Sequence, residues 1–264
     1  MATTKRLICI FDCEDHAGFP NMIKDFLGDA YEYEVFQAPK LLLPPVDETS
    51  RYDCFILTGS LTSAHETEKE IPGTWVQKFG QYVKDLTSLI IDRNRTATKK
   101  QKLIGICFGQ QIIAHYLGGK CEKAEQPRHG IEKLKFEPQF YEVKAVRTAA
   151  KEVFGMSPPF DELLFPSIEP IEFRSDYLSQ IPPSATLLAK SKYSPAEAFT
   201  IGDDILGVQF HPEFTKEFVL RDLLPYKKSK DPSFELHAPE TSFDVTKSTQ
   251  MFMQSFLRAF IEDN

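Results

Sequence analysis

The stretch "KLIGICFGQQIIAHYLGG", residues 102–119, joins a short apolar strand to a predicted helix through the pattern Gly-Ile-Cys-Phe-Gly. A turn of this kind is a nucleophile elbow, in which Cys107 adopts a strained backbone conformation and the flanking glycines keep its approach clear of side chains. The thiolate would lie over the amino terminus of the helix, and the N–H of Phe108 could bond a developing oxyanion. The alternative is that Cys107 is a small buried residue that ends a strand, as most cysteines are.

A thiol nucleophile needs a base, and the best-placed histidine is His211. The segment "ILGVQFHPEF", residues 205–214, puts it directly after an apolar strand that Pro212 breaks. The imidazole is therefore expected at the carboxyl end of the strand, where open parallel sheets bind ligands. Glu213, two residues on, could orient the ring as the third member of a triad does.

The other histidines are weaker candidates for the base. His115 lies on the same helix as the elbow, about 12 Å in axial rise from Cys107, and is interpreted as a packing residue. For the remaining four, a solvated or hydrogen-bonded surface histidine is the simpler interpretation, although two lie in loops that could line the site. These are His65 and His129 in the loops, and His16 and His237 without supporting context.

Outward from the elbow, short β-branched or aliphatic runs alternate with longer amphipathic ones, which predicts an α/β fold with a mostly parallel sheet. Strand-like segments after the elbow helix predict an antiparallel extension of that sheet. They lie near 131–137, 168–173, 185–190, 196–201 and 205–210. The polar stretch 226–243 predicts a long loop, and 245–262 predicts a final helix with a core-facing stripe of Phe252, Phe256 and Phe260.

Composition narrows the class of protein further. The net charge of −7 argues against sequence-independent nucleic-acid binding and against adhesion to anionic membranes. Five irregularly spaced cysteines favour reduced thiols in the cytosol over a disulfide framework or a zinc site. The start "MATTKRLICIFD" lacks a signal-peptide core, and no apolar run approaches the roughly 18 residues of a spanning helix. We expect a cytoplasmic protein.

"GICFGQQ" and "GVQFHPEF", together with an upstream "LTGS" at 57–60, closely resemble the class I glutamine amidotransferase family. That resemblance implies a flavodoxin-like domain over 1–264, with its core about 6–222. It also implies that Cys107 is the nucleophile, that His211 is the base and later the acid, and that Glu213 fixes the imidazole tautomer. The resemblance also implies that Gly59 supplies a second oxyanion N–H beside that of Phe108. It implies that Gln111 lines the substrate pocket. The "RHG" at 128–130 resembles a loop that closes over the substrate.

The sequence also departs from the family pattern. The family commonly has His where Gln110 stands, and the dipeptide expected near "FRSDYL" is absent, which places Arg174 beside the pocket. We expect Arg174 to bias the leaving-group side toward acidic or peptide-like amines. The segment "LTGSLTSAHE", followed by Trp75, most resembles stand-alone proteins of fungi and plants, including plant γ-glutamyl peptidases.

The implied reaction is hydrolysis of the γ-glutamyl amide bond of glutamine or a γ-glutamyl peptide through a cysteine thioester, without metal or cofactor. Because no synthetase domain follows residue 213, the partner is expected to be the small γ-glutamyl substrate. One alternative is a glutaminase subunit that delivers ammonia to a separate synthetase or other protein subunit. Another is a catalytically silent regulatory or scaffold protein.

Overall fold

A computed structural model describes residues 5–14, 18–65, 74–236 and 243–263. His16 and His237 lie outside the described residues. Among the described residues, no helix combines the length and the apolar character that crossing a bilayer requires.

The strands alternate with helices in the first half of the chain and follow one another more directly in the second half. The strands are β1 Arg6–Asp12, β2 Tyr31–Gln37, β3 Cys54–Leu57, β4 Lys102–Ile106, β5 Lys120–Ile131, β6 Lys135–Phe136, β7 Ile171–Gln180, β8 Thr186–Lys190, β9 Ala198–Ile201 and β10 Ile205–Val208. The helices are α1 Phe19–Leu27, α2 Trp75–Asn94, α3 Phe108–Tyr116, α4 Lys144–Phe154, α5 Lys216–Phe218, α6 Leu224–Lys230 and α7 Lys247–Glu262, with a π-helical turn at Val219–Leu223.

Eight of these strands form one sheet in the order β2-β1-β3-β4-β10-β9-β8-β6. The pairs from β2 to β10 are parallel, whereas β9, β8 and β6 continue the sheet with antiparallel pairing. This confirms the predicted flavodoxin-like sheet with an antiparallel extension. The strands β5 and β7 form a separate antiparallel ribbon that the sequence pattern did not distinguish from the main sheet.

Helices cover both faces of the sheet. Along β1, successive side chains pack alternately into the core on one face and the core on the other. Ile8 and Ile10 belong to a core shared with α1, α4 and α7, whereas Cys9 and Phe11 belong to a second core shared with α2 and α3. Because successive side chains of a strand point to opposite faces, a strand that is apolar at every position must be buried on both sides. The central strands therefore read as continuous apolar runs.

The carboxyl-terminal region corrects one prediction. The loop predicted over 226–243 is wrong at its start, because α6 extends through Lys230. Residues 237–242 lie outside the described residues. Pro225 explains the preceding π-helical turn, since proline has no N–H for the normal helical bond and crowds the carbonyl four residues back.

The final helix begins at Lys247, where the side chain of Thr246 accepts a hydrogen bond from the N–H of Thr249. Phe252, Phe256 and Phe260 are buried in the core that α7 shares with α4, which confirms the predicted core-facing stripe. The expectation of one domain over 1–264 stays a prediction.

Candidate active site

Cys107 occupies the sharp turn between β4 and α3 with φ 53° and ψ −107°. A positive φ is uncommon for a residue with a side chain and stores backbone strain. Two backbone hydrogen bonds hold the turn: the Cys107 N–H donates to the carbonyl of Val208 at 2.8 Å, and the Cys107 carbonyl accepts from Gln111 at 3.0 Å. The thiol is thus fixed at the carboxyl end of a central strand and at the amino terminus of a helix.

Gly109 keeps the approach to the thiol open, and it also allows α3 to pack closely against the sheet. A Cβ at this position would lie 2.4 Å from the carbonyl oxygen of Leu57, on the neighbouring strand β3. Glycine therefore lets α3 approach the sheet closely, and this fixes where the helix amino terminus points.

His211 reaches the same edge of the sheet because β10 pairs in parallel with β4, with Val208 opposite Ile106. Its N–H donates to the carbonyl of Ile171 at 2.8 Å, so the residue is anchored to the start of β7. Its Nδ1 lies 2.9 Å from Oε1 of Glu213, and the ring of Phe214 stacks on the imidazole with 3.8 Å between centroids. The ring orientation is therefore set on two sides.

The electrostatics of this group favour a charged imidazole. Burial alone would lower the pKa of His211, but the negative charge of Glu213 and the charge and hydrogen bond of Cys107 outweigh it and raise the pKa to about 10. Because Glu213 shares the Nδ1 hydrogen, Nε2 is the nitrogen that remains for Cys107 and a substrate. A protonated imidazole beside a thiol favours the thiolate.

The other four cysteines lie buried in the cores on the two sides of the sheet. Burial is the main cause that raises the pKa of each of them well above the ordinary thiol value: Cys9, Cys13, Cys54 and Cys121. All five thiols are free, and Cys107 lines a pocket.

Gly59 lies directly against the imidazole. A Cβ at this position would come within 2.8 Å of Cε1 of His211. The segment is anchored by Thr58, whose N–H donates to the carbonyl of Phe11 at 3.1 Å and whose hydroxyl donates to the Gly59 carbonyl at 3.0 Å. Glycine is thus required here by the histidine, a reason that the sequence alone did not supply.

A pocket opens beside Cys107. Its described lining comes from the segment after β3, the elbow, the β5–β7 ribbon and α6: Ser60, Leu61, Thr62, Ser63, Cys107, Gln111, His129, Phe173, Arg174, Ser175, Asp176 and Lys227. Gln111 is held in place there by a hydrogen bond from its amide to Oε1 of Gln209 at 3.0 Å.

The remaining histidines take different positions. His129 lines the pocket and packs on Phe173 with 4.5 Å between ring centroids. Nδ1 of His65 lies 3.6 Å from Oδ2 of Asp176. His115 packs edge-on against Tyr116, away from the described pocket lining.

Sequence reasoning missed a buried charge cluster behind the pocket. Nε of Arg174 donates to Oε2 of Glu172 at 2.9 Å, and Nη2 lies 3.5 Å from Oε1 of Glu197. Burial raises the pKa of Glu172 well above its usual value, the charge of Glu197 adds to this, and Arg174 opposes it. The signal was present in "EFRSD", because Glu172, Arg174 and Asp176 alternate along one strand and so share a face.

This cluster overturns the expectation for Arg174. Its side chain is only 1% exposed and two carboxylates already engage it. A guanidinium neutralised in this way is not available to select acidic leaving groups. Arg174 instead supports the wall of the pocket.

Comparison with known proteins shows which protein family this chain resembles. The class-I glutamine amidotransferase model matches residues 85–218, just over half of the chain. Gamma-glutamyl peptidase 3 of Arabidopsis thaliana is 26% identical over 94% of this chain and 90% of its own length. Gamma-glutamyl peptidase 5 of the same plant is 28% identical over 92% and 88%. A glutamine-hydrolyzing GMP synthase subunit of Saccharolobus solfataricus is 28% identical over 64% of this chain and 71% of its own length.

Solved structures resemble this chain in fold. A glutamine amidotransferase from Methylobacillus flagellatus superposes with a TM-score of 0.69 at 18% identity, and the match covers 98% of this chain and 95% of that one. A glutamine amidotransferase from Thermotoga maritima gives a TM-score of 0.66 at 18% identity, with 99% and 100% covered. The elbow, the two flanking segments that meet it and the extent of the family match lead to one conclusion: this chain belongs to the class-I glutamine amidotransferase family.

Proposed function

We propose that this chain hydrolyses the γ-glutamyl amide bond of glutamine or of a γ-glutamyl peptide through a thioester on Cys107. The observation that carries the proposal is the contact of Cys107 with a buried imidazole whose other nitrogen lies 2.9 Å from Glu213. A thiol, a base and an orienting carboxylate in this order are the parts that nucleophilic acyl transfer requires.

In the first half of the reaction, the Cys107 thiolate attacks the amide carbon and the carbonyl oxygen becomes an oxyanion. The N–H groups of Phe108 and Gly59 are assigned to stabilise that oxyanion. The imidazolium of His211 then donates its Nε2 proton to the leaving nitrogen, and the C–N bond breaks to release ammonia or an amine. The γ-glutamyl group remains on sulfur.

In the second half, neutral His211 takes a proton from water as the water oxygen attacks the thioester. The tetrahedral intermediate collapses, the C–S bond breaks, and the thiolate beside a protonated imidazole is restored. Glutamate leaves with the water oxygen in its γ-carboxylate. Glu213 accepts the Nδ1 hydrogen throughout, which keeps Nε2 directed at the reacting atoms.

Glutamine and γ-glutamyl peptides are both included because the acyl half and the bond broken are the same in the two. The similarity to gamma-glutamyl peptidases over most of both chains supports the peptide substrate. The similarity to glutamine-hydrolyzing GMP synthase subunits supports a second candidate, a glutaminase that passes ammonia to a separate synthetase. A complete thiol, imidazole and carboxylate set disfavours a silent scaffold. A cytosolic location is proposed with this function, since all five thiols are free.

Steady-state assays of the purified chain with L-glutamine, γ-glutamylglycine and α-glutamylglycine test the proposal. We expect turnover of at least one γ-linked substrate and rejection of the α-linked isomer. Turnover that appears only after a partner protein is added would favour the ammonia-delivering glutaminase. Turnover of the α-linked isomer as fast as the γ-linked one would contradict the proposal.

A further inference from the structure

The buried charge cluster behind the pocket holds more negative than positive groups. It consists of Glu172 and Arg174 on β7 and Glu197 directly before β9, and their side chains are at most 1% exposed. Arg174 reaches both carboxyl groups, with Nε 2.9 Å from Oε2 of Glu172 and Nη2 3.5 Å from Oε1 of Glu197. Among the described residues, no second cation forms an ion pair with either carboxyl group. Two ionised carboxylates would therefore leave one buried negative charge without a counter-charge, which is strongly unfavourable.

Two carboxyl oxygens of the cluster lack a hydrogen-bond donor. Oε1 of Glu197 faces Arg174 and also accepts from the hydroxyl of Ser191 at 2.7 Å. Oε1 of Glu172 and Oε2 of Glu197 are buried, and neither has a hydrogen-bond partner within the described part of the chain. The two carboxyl groups contact each other. Because an ionised carboxylate only accepts hydrogen bonds, a proton on one of the two groups is needed to supply a donor for this contact. The same proton cancels the excess charge.

Glu172 is the member of the pair that favours the neutral form. Burial raises its pKa well above the usual value, the charge of Glu197 adds to this, and Arg174 opposes it. The charge of Cys107 acts in the same direction as that of Glu197. Two further groups, which pair with each other at 3.0 Å, face the cluster from the end of β5: Arg128 and Glu132. The charges that act on Glu172 are thus mostly negative, and they keep the proton on it.

The cluster joins the β5–β7 ribbon to the main sheet at the segment that carries His211. The carbonyl of Ile171, next to Glu172, accepts from the N–H of His211 at 2.8 Å. The carbonyl of Glu197 accepts from the N–H of Gln209 at 2.8 Å. The segment is therefore held between the start of β7 and the residue before β9. Repulsion between two ionised carboxylates would push the same two strands apart.

We propose that Glu172 and Glu197 share one proton, and that this pair positions His211 by fastening β7 to β9. Oε1 of Glu172 donates to Oε2 of Glu197, and Arg174 neutralises the single charge that remains. Neither carboxyl group is assigned a contact with substrate or with the reacting atoms, so both are positioning residues. The inference rests on the proposed function for the role of His211, whereas the shared proton can be measured without any substrate.

Infrared spectroscopy tests the shared proton directly, because a protonated carboxyl group has a C=O absorption that carboxylates lack. The spectrum of the native chain minus that of Glu172→Gln, in deuterated buffer at neutral pH, should contain one such band. Glu197→Gln should lose the same band, because Arg174 then faces a single carboxyl group, which ionises. Glu142→Gln, at an exposed glutamate, is the matched control and should keep the band. Absence of the band from the native chain would overturn the shared proton, and its persistence in Glu197→Gln would overturn the pairing.

The shared proton also predicts how stability depends on pH. Folding raises the pKa of Glu172 above about 4.5, so the folded chain keeps a proton that the unfolded chain releases. The free energy of unfolding therefore falls as the pH rises above that value. A glutamine at this position has no proton to release, so the urea midpoint of Glu172→Gln, relative to that of the native chain, should increase between about pH 5 and about pH 8. A difference that stays constant or decreases would overturn the assignment of a proton to Glu172.

Turnover tests the positioning role. Glu172→Gln keeps a donor for Glu197 and leaves one carboxylate for Arg174, so kcat for γ-glutamylglycine should stay within about threefold of the native value. Glu172→Leu removes the donor and should lower kcat by about 10-fold or more with little change in KM, because His211 is no longer held in place. A loss in the glutamine variant as large as in the leucine variant would show that an ionised Glu172 is required, and would overturn the shared proton. A native kcat in both variants would overturn the positioning role.

A measurement on His211 itself does not depend on turnover. If the native chain hydrolysed none of the γ-linked substrates, the proposed function would fail, but the infrared and urea results would still decide the shared proton. The ring-proton NMR signals of His211 then report its position, and they should shift in Glu172→Leu and stay in place in Glu172→Gln. Unshifted signals in both variants would overturn the positioning role. The infrared and urea experiments use only amide variants of similar side-chain volume, so they remain decisive even where the leucine variant does not fold.

Discussion

A single methyl group decides how close the segment at Gly59 can come to His211, because a Cβ there would lie 2.8 Å from Cε1. The sequence led to Gly59, Cys107 and His211 because each stands in a short local motif. It could not lead to the engagement of Arg174 by Glu197, since the two are 23 positions apart and meet only in the fold. Local motifs reveal reactive groups, whereas the partners that neutralise a charge come from distant strands.

Cys107, the proposed nucleophile, is the first residue to test. Cys107→Ser should abolish hydrolysis of the γ-linked substrates, because a hydroxyl is far less acidic than a thiol and the imidazole activates it poorly. Turnover measured beside a thermal melt checks the result, and the melting temperature should stay close to that of the native chain. Appreciable activity in this variant would remove Cys107 from its assigned role.

Removal of the His211 imidazole and removal of the Glu213 carboxylate should lower the activity to different extents. His211→Ala should cost as much activity as Cys107→Ser, whereas Glu213→Gln should cost less, because the carboxylate orients the ring without reacting. The kcat values of the variants give the order. His115→Ala is the control and should be nearly silent; a loss equal to that of His211→Ala would require another base.

The raised pKa of His211 predicts a stability effect with a definite sign. A group whose pKa rises from about 6.5 in the unfolded chain to about 10 in the folded one stabilises the fold fully below the lower value. That contribution is lost as the pH rises through about 10. The difference in free energy of unfolding between the native chain and His211→Gln should therefore shrink between pH 6.5 and 10. Urea titrations across that range measure it, and a constant difference would contradict the shift.

At the scale of elements, the site exists because three adjacent parallel strands end at one edge. Gly59 follows β3, Cys107 follows β4 and His211 follows β10, and these strands are neighbours in the sheet. Apolar runs and their order made this part of the fold predictable. The β5–β7 ribbon and α6 could not be predicted in this way, because polar residues dominate both. Their structure depends on packing over the pocket and not on a local periodicity.

The link from α6 to the sheet gives a prediction at this scale. Glu14→Ala removes the acceptor shared by Tyr226, Ser60 and Leu61, so both the pocket wall and the Gly59 segment should loosen. We expect kcat/KM for γ-glutamylglycine to fall by about 10-fold or more, since small misplacements near reacting atoms are expensive. Glu142→Ala, at an exposed glutamate far along the chain, is the control. Equal activity in the two variants would show that the link does not support the site.

At the scale of the whole molecule, stability depends on two cores separated by one sheet. Phe252 is fully buried in the core on the α7 side and lies 5.4 Å from Phe154 and 5.8 Å from Phe165 between ring centroids. The sequence predicted the stripe on α7, but not α4, which covers it. That helix is short, and its burial on the α7 side emerges only when the chain is folded.

Truncation of this side chain should therefore be costly. Phe252→Ala is expected to lower the free energy of unfolding by about 3–5 kcal/mol, because it removes a large apolar group and leaves a cavity. Met251→Ala, at a neighbouring position that is 46% exposed, should change it by no more than about 0.5 kcal/mol. Guanidinium titrations of the two variants measure both effects. Similar losses would contradict the assignment of Phe252 to the core.

The different surroundings of the five thiols determine where oxidation of this protein is expected to begin. Burial raises the pKa of four of them and withholds the thiolate that peroxide attacks, whereas Cys107 faces a pocket and contacts an imidazolium. We therefore expect oxidation to fall first on Cys107, the proposed nucleophile. Such damage should stop the proposed hydrolysis while leaving the fold intact, so a sample that still melts normally need not be an active one.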